Sequence, residues 1–292
     1  MPNGAPLPRD AIFVTPDWLK EHLGAPGLAI VDGSYYLSTM NRDAKAEFLA
    51  GHIPGAVHFD IDTVRDTASP LPHMMPSARD FAAAVGAMGI GDGMTVIVYD
   101  GLGLFSAPRV RWMFQRYGAQ DVRLLDGGLP AWIAAGFPVE EGPARPRRAA
   151  QFTARYDMTA VADIADVRKA LETGAAQIVD ARPAERFRGE APEPRPGLAS
   201  GHMPGARNLP FAALLDNGKL KEPDAIRAAF AEAGVDPARP IITSCGSGVS
   251  AVILSTALEL IGQPAKAVYD GSWAEWGADP ANPVATGAAD KA

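Results

Sequence analysis

The sequence predicts an α/β protein built from two tandem copies of one domain, each a mostly parallel sheet flanked by helices. Three observations predict it. First, four short blocks recur in the same order. Ala29-Ile30-Val31-Asp32 returns as Gln177-Ile178-Val179-Asp180, and Gly51-His52-Ile53-Pro54-Gly55-Ala56 as Gly201-His202-Met203-Pro204-Gly205-Ala206. Val96-Ile97-Val98-Tyr99-Asp100 returns as Ile241-Ile242-Thr243-Ser244-Cys245, and Leu125-Asp126-Gly127-Gly128 as Tyr269-Asp270-Gly271-Ser272. The offsets of 148, 150, 145 and 144 are nearly constant and too long for a solenoid repeat. Second, β-branched runs alternate with helical patterns, the signature of a parallel sheet. Third, 292 residues suit two domains of ordinary size.

Taken along the chain, the first domain spans residues 11–141. Residues 96–99, bounded by Gly93 and Asp100-Gly101, read as a buried strand. Residues 107–117 follow with helical spacing. Pro, Gly and like charges in Gly142-Pro143-Ala144-Arg145-Pro146-Arg147-Arg148 mark an exposed linker, residues 142–156. The second domain spans residues 157–277. Ile164, Val167 and Leu171 predict a helix before the strand 177–180. Residues 241–244 form the next strand and 251–261 the next helix. Residues 278–292, rich in Pro, Ala and Gly, are expected to be a loose tail.

Composition removes several functions. Lys and Arg number 27 against 34 Asp and Glu, a net charge of −7, which disfavours a nucleic-acid binder. One cysteine permits no intramolecular disulfide and no zinc site of four cysteines, or of two cysteines and two histidines. Residues 1–10 hold three prolines and no apolar core, so no signal peptide is expected. The longest apolar run, 251–261, is broken by Ser255, Thr256 and Glu259, so no membrane span is expected. A cytoplasmic protein is the resulting expectation.

The single thiol stands where a parallel sheet places its chemistry, at the carboxyl end of a strand. Cys245 follows the strand 241–244 and precedes Gly246-Ser247-Gly248-Val249-Ser250 and a helix. Loop N–H groups and a helix N-terminus both favour a thiolate. A buried inert cysteine is the competing reading. The two glycines and the repeat weigh towards reactivity, because the matching position in the first copy is Asp100. A phosphatase loop of Cys, five residues and Arg does not fit, since Ala251 stands where Arg is needed. Gly101-x-Gly103 is no dinucleotide fingerprint, because position 106 is Ser.

With its His-x-Pro-Gly-Ala blocks, its Asp-Gly-Gly/Ser blocks and the loop from Cys245 to Ser250, the chain resembles the tandem rhodanese-type sulfurtransferases over residues 13–276. The loop resembles that of their 3-mercaptopyruvate branch, Cys-Gly-(Ser/Thr)-Gly-Val-Thr, with Ser250 keeping the hydroxyl. The thiosulfate branch carries a charged residue after the Cys, and Gly246 and Ser247 are uncharged. The resemblance implies transfer of sulfur from 3-mercaptopyruvate through a Cys245 persulfide to a thiol, a thioredoxin-like protein or cyanide, with no metal or organic cofactor. It implies that the N–H groups of Gly246, Gly248, Val249 and Ser250 cradle the persulfide. It gives Arg186 and Arg195, in Arg186-Phe187…Pro194-Arg195, the binding of the substrate carboxylate and carbonyl. Asp62, His73 and Ser247 take the family's proton-handling positions.

The residues alone allow plainer readings. Arg186 and Arg195 would be surface arginines paired with Glu185, Glu190 or Glu193, the reading preferred for Arg188. Asp60 rivals Asp62. His52 and His202 recur in both copies and are read as structural, and Trp132, Trp273 and Trp276 as packing. A thiosulfate sulfurtransferase and a non-catalytic binding module are the alternatives. A monomer is expected, since the tandem copies complete one site.

Overall fold

The computed structural model describes residues 7–289, and the two ends of the sequence, residues 1–6 and 290–292, lie outside it. In chain order the strands of the first copy are β1 (Phe13–Val14), β2 (Leu28–Asp32), β3 (Val57–His58), β4 (Thr95–Tyr99) and β5 (Asp121–Leu125). Those of the second are β6 (Val161–Ala162), β7 (Gln177–Asp180), β8 (Arg207–Asn208), β9 (Leu215–Asp216), β10 (Lys219–Leu220), β11 (Ile241–Ser244) and β12 (Ala267–Tyr269). Each copy forms a five-stranded sheet, β1-β5-β4-β2-β3 and β6-β12-β11-β7-β8. All pairings in both are parallel. The sheets are the same topology twice, as the repeat requires.

The central strands β4 and β11 are buried on both faces, so β4 reads as an apolar run over residues 96–99, whereas β11 ends on the buried polar residues Thr243 and Ser244. Each leads through a short loop into a helix, Ala107–Arg116 and Ala251–Leu260. These two helices pack on each other, and buried residues of both copies merge into one apolar core. Arg111 reaches Glu259, the one charged residue of the second helix, at 2.7 Å. The two central loops therefore both lie near the junction of the copies.

Each copy also covers the other's loop. The segment around His73, from the first copy, lies on the Cys245 loop. The β9–β10 hairpin, from the second copy, lies on the first copy's loop, with Gly218 packed against Gly103. Its turn residues Asn217 and Gly218 have φ of 47° and 74°, the conformation that an Asn-Gly hairpin turn adopts.

Two expectations change. The linker is largely exposed, but it is pinned along the first copy: Phe152 is buried, Ala150 N donates to Gly86 O at 2.9 Å and Arg155 N to Tyr117 O at 2.9 Å. The tail is not loose over its described residues. His202 pairs with Ala285 just as His52 pairs with Glu140, 145 residues earlier. Asn282 Nδ2 donates to Trp276 O at 3.0 Å, Trp276 Nε1 to Pro283 O at 3.0 Å and Gly287 N to Arg188 O at 2.9 Å. Proline and glycine there disfavour regular structure, not contact. Residues 290–292 of the expected tail, and residues 1–6 of the segment read as lacking a signal peptide, lie outside the described residues. No helix among the described residues is long and apolar enough to cross a membrane.

Candidate active site

Cys245 sits at the end of β11 with 2% of its surface exposed. The loop after it is stitched to the start of the helix Ser272–Trp276. Trp273 N donates to Cys245 O at 3.0 Å, and Ala274 N to Gly246 O at 2.9 Å. The Ser272 hydroxyl accepts from Cys245 N and Gly248 N, both at 3.1 Å, and donates to Tyr269 O at 2.8 Å. Ser272 holds φ of 50°, an uncommon state for a residue with a Cβ, and its hydroxyl contacts fix it there. Gly248 has φ of 74°, and a Cβ on it would stand 2.9 Å from Asp270 O, so only glycine fits.

The first copy shows what this loop shape is for. There the Asp100 carboxylate accepts from the N–H groups of Leu102, Phe105, Ser106 and Ala107 at 2.8–3.0 Å. The corresponding groups in the second copy belong to Ser247, Ser250, Ala251 and Val252. Val252 N turns to Val249 O at 3.3 Å, whereas those of Ser247, Ser250 and Ala251 meet no acceptor among the described residues. The loop around Cys245 is an open anion cradle, and the loop around Asp100 is the same cradle filled by its own side chain; Gly248 N, expected in the cradle, is instead taken by the Ser272 hydroxyl.

The groups expected to handle protons, Asp62 and His73, come from the first copy and meet Ser247 of the second. Asp62 Oδ1 lies 3.0 Å from His73 Nε2, and His73 Nδ1 lies 3.1 Å from Ser247 Oγ. A carboxylate at Nε2 fixes the proton there and leaves Nδ1 to accept from the Ser247 hydroxyl. The hydrogen bond from His73 holds the Asp62 carboxyl below its usual range. Asp60 does other work: its oxygens accept from Asp62 N at 2.8 Å and Thr63 Oγ1 at 2.7 Å, closing the turn. The stretch is a turn and not extended, so the two aspartates do not share a face.

A cavity of about 150 Å³ opens on Cys245, lined by Arg186, Arg195, Tyr35, Phe105, Phe211 and the loop. Arg186 is gripped by Glu193, which also accepts from the buried Arg182 at 2.7 Å. Its guanidinium passes so close over the loop that a Cβ at Gly246 would stand 3.0 Å from Nη2. Arg186 thus sets a cation beside the uncharged loop, and Glu193 offsets its charge. Arg195 has no carboxylate partner among the described residues, and its hydrogen bond goes to the Tyr35 hydroxyl at 3.3 Å. Arg188 pairs with Glu190 at 2.7 Å on the surface, as expected.

Sequence reasoning missed Arg109 and Asp270. Arg109, fully buried, donates to Asp270 Oδ1 at 2.7 Å, His73 O at 2.6 Å and Gly248 O at 3.3 Å. Asp270 Oδ2 accepts from Met75 N at 2.8 Å. One ion pair thus ties the His73 segment to the Cys245 loop, and His73 itself holds φ of 60°. The recurrence of Asp126 as Asp270 was the one available signal, but the contact spans 161 residues. His52 and His202 stack on Phe48 and Phe187 and sit away from the thiol, and Trp132, Trp273 and Trp276 are buried in the cores.

A family model described as "Rhodanese-like domain" matches residues 15–135 and 163–279. The chain is 43% identical over 271 residues to 3-mercaptopyruvate sulfurtransferase of Homo sapiens, covering 90% of this chain and 91% of that one. It is 42% identical over 272 residues to thiosulfate sulfurtransferase of Cricetulus griseus, covering 90% and 91%. Its structure superposes with a TM-score of 0.83 on a crystal structure of a 3-mercaptopyruvate sulfotransferase from Escherichia coli, at 42% identity and covering 89% and 98% of the chains.

Proposed function

The chain belongs to the rhodanese-like sulfurtransferases, and from that premise we propose that it moves the sulfur of 3-mercaptopyruvate through a Cys245 persulfide to a thiol acceptor. The observation that carries the reading is the pair of loops. An Asp100 oxygen lies two bonds from Cβ, as does the outer sulfur of a cysteine persulfide. The cradle that Asp100 fills in one copy is vacant of acceptors in the other, and an anionic outer sulfur on Cys245 fits it.

The reaction proceeds as follows. The Cys245 thiolate attacks the donor's sulfur, forming the S–S bond as the C–S bond breaks. The pair from that bond passes to the three-carbon fragment as the enolate of pyruvate. Arg195, lacking a carboxylate of its own, binds the substrate carboxylate, and Arg186 meets the carbonyl where enolate charge develops. The donor's thiol proton passes to Ser247 Oγ while the hydroxyl's own proton moves to His73 Nδ1, and Asp62 stabilises the resulting imidazolium. That proton then completes the methyl group of pyruvate. Thiolate and 3-mercaptopyruvate thus become persulfide anion and pyruvate with nothing left over.

The acceptor attacks the outer sulfur and regenerates Cys245 in a ping-pong cycle. A small thiol, cyanide or a thioredoxin-like protein serves, since each presents a nucleophile to the cavity. Both copies of a single chain build the site, which suits a monomer. The test is steady-state sulfur transfer to a thiol from 3-mercaptopyruvate and from thiosulfate, with Cys245→Ala as control. Preference for 3-mercaptopyruvate, lost in the variant, is the expected result. Preference for thiosulfate makes the Arg186 cation over Gly246 the decisive feature of the loop and overturns the donor assignment.

A further inference from the structure

Tyr35 comes from the first copy but lines the cavity that holds Cys245. Its position is fixed at three points. Its N–H donates to Ser106 Oγ at 3.0 Å, and its ring stands edge-on to the His73 imidazole with centroids 4.8 Å apart. Its hydroxyl accepts from Arg195 Nη2 at 3.3 Å. A phenol that accepts one hydrogen bond still has its own proton to give. Among the described residues that proton meets no acceptor. Burial raises the hydroxyl's pKa above its ordinary value, so the proton is retained at neutral pH. The neighbouring guanidinium polarises the O–H bond and makes it the stronger donor.

We infer that Tyr35 is a substrate-binding residue whose hydroxyl donates to an oxygen of the keto-acid end of the donor, beside Arg195, and so selects keto-acid donors. The inference rests on the reading of the site given above. It adds a contact made by the thiol-free copy directly to substrate. A half-buried donor whose acceptor is missing disfavours ligands that lack the matching oxygen.

Tyr35→Phe tests it, because the ring against His73 is kept and only the hydroxyl is lost. The probes are iodoacetamide, a neutral alkylator of Cys245, and pyruvate as protecting ligand. The variant is expected to be alkylated within about twofold of the parent rate when pyruvate is absent. The pyruvate concentration giving half-protection is expected to rise about tenfold, and kcat/KM for 3-mercaptopyruvate to fall by a similar factor. Unchanged half-protection overturns the inference. So does a changed alkylation rate without pyruvate, which shows Tyr35 acting through His73 or the loop. If pyruvate fails to protect the unaltered protein, the reading of the whole site falls, not the role of Tyr35 alone.

Discussion

Arg195 is the cation of the cavity with no acidic partner, and its removal should be felt mainly in binding. Arg195→Met is expected to raise KM for 3-mercaptopyruvate by about tenfold to a hundredfold, the loss of charge-assisted hydrogen bonds, without changing alkylation of Cys245. Arg186→Met should do more, because Glu193 keeps only Arg182 and thermal stability falls as well. Asp62 sets a pH signature. Its pKa is depressed in the folded protein, so the stability it contributes is present above the unfolded value of 3.8 and lost as pH falls through the lower folded value. Melting curves of Asp62→Asn and the parent should therefore differ by a constant, small amount from neutral pH down to about 5 and converge only below about 4. The residues named from sequence are those in short, recognisable blocks: Cys245, Ser247, Arg186, Arg195, Asp62 and His73. Tyr35 and Arg109 carry no such mark, since their partners lie far away along the chain, and Ser272 stands in a repeated block that does not announce its backbone angle.

At the scale of elements, the loop after β11 depends on the hydroxyl of Ser272. Ser272→Ala removes the acceptor of two buried N–H groups while keeping the strained φ of 50°. It should cost about 1–3 kcal/mol and slow persulfide formation. Ser272→Gly loses the same acceptor but relieves the backbone, and should melt higher than the alanine variant by about 1 kcal/mol in stability. Chemical denaturation of the two variants checks the order. The strand and helix around this loop were legible, because β11 opens on two isoleucines and stops just before a glycine-rich loop, and the helix after it is mostly apolar. The tail was misread for a physical reason. Its composition forecasts irregular backbone, but only the pairing of His202 with Ala285 shows that irregular backbone can still be bound.

At the scale of the molecule, the copies are held at one angle by a shared apolar core and by the Arg109–Asp270 pair buried beneath the site. Arg109→Met leaves Asp270 buried without its cation and should destabilise the chain by about 3–5 kcal/mol. The double variant with Asp270→Asn should recover part of that loss, and a double-mutant cycle by denaturant unfolding measures the coupling. Duplication has thus left one copy as a cover and a source of Asp62, His73 and Tyr35, while the other keeps the thiol. The repeat and the lone cysteine announced this division in the sequence, whereas the buried pair that fixes it could be seen only in the fold. The most direct test of the account uses the whole chain and the donor alone. After incubation with 3-mercaptopyruvate and no acceptor, mass spectrometry of the peptide holding Cys245 should show one added sulfur, with an equal amount of pyruvate released. Pyruvate released over an unmodified Cys245 peptide would contradict it.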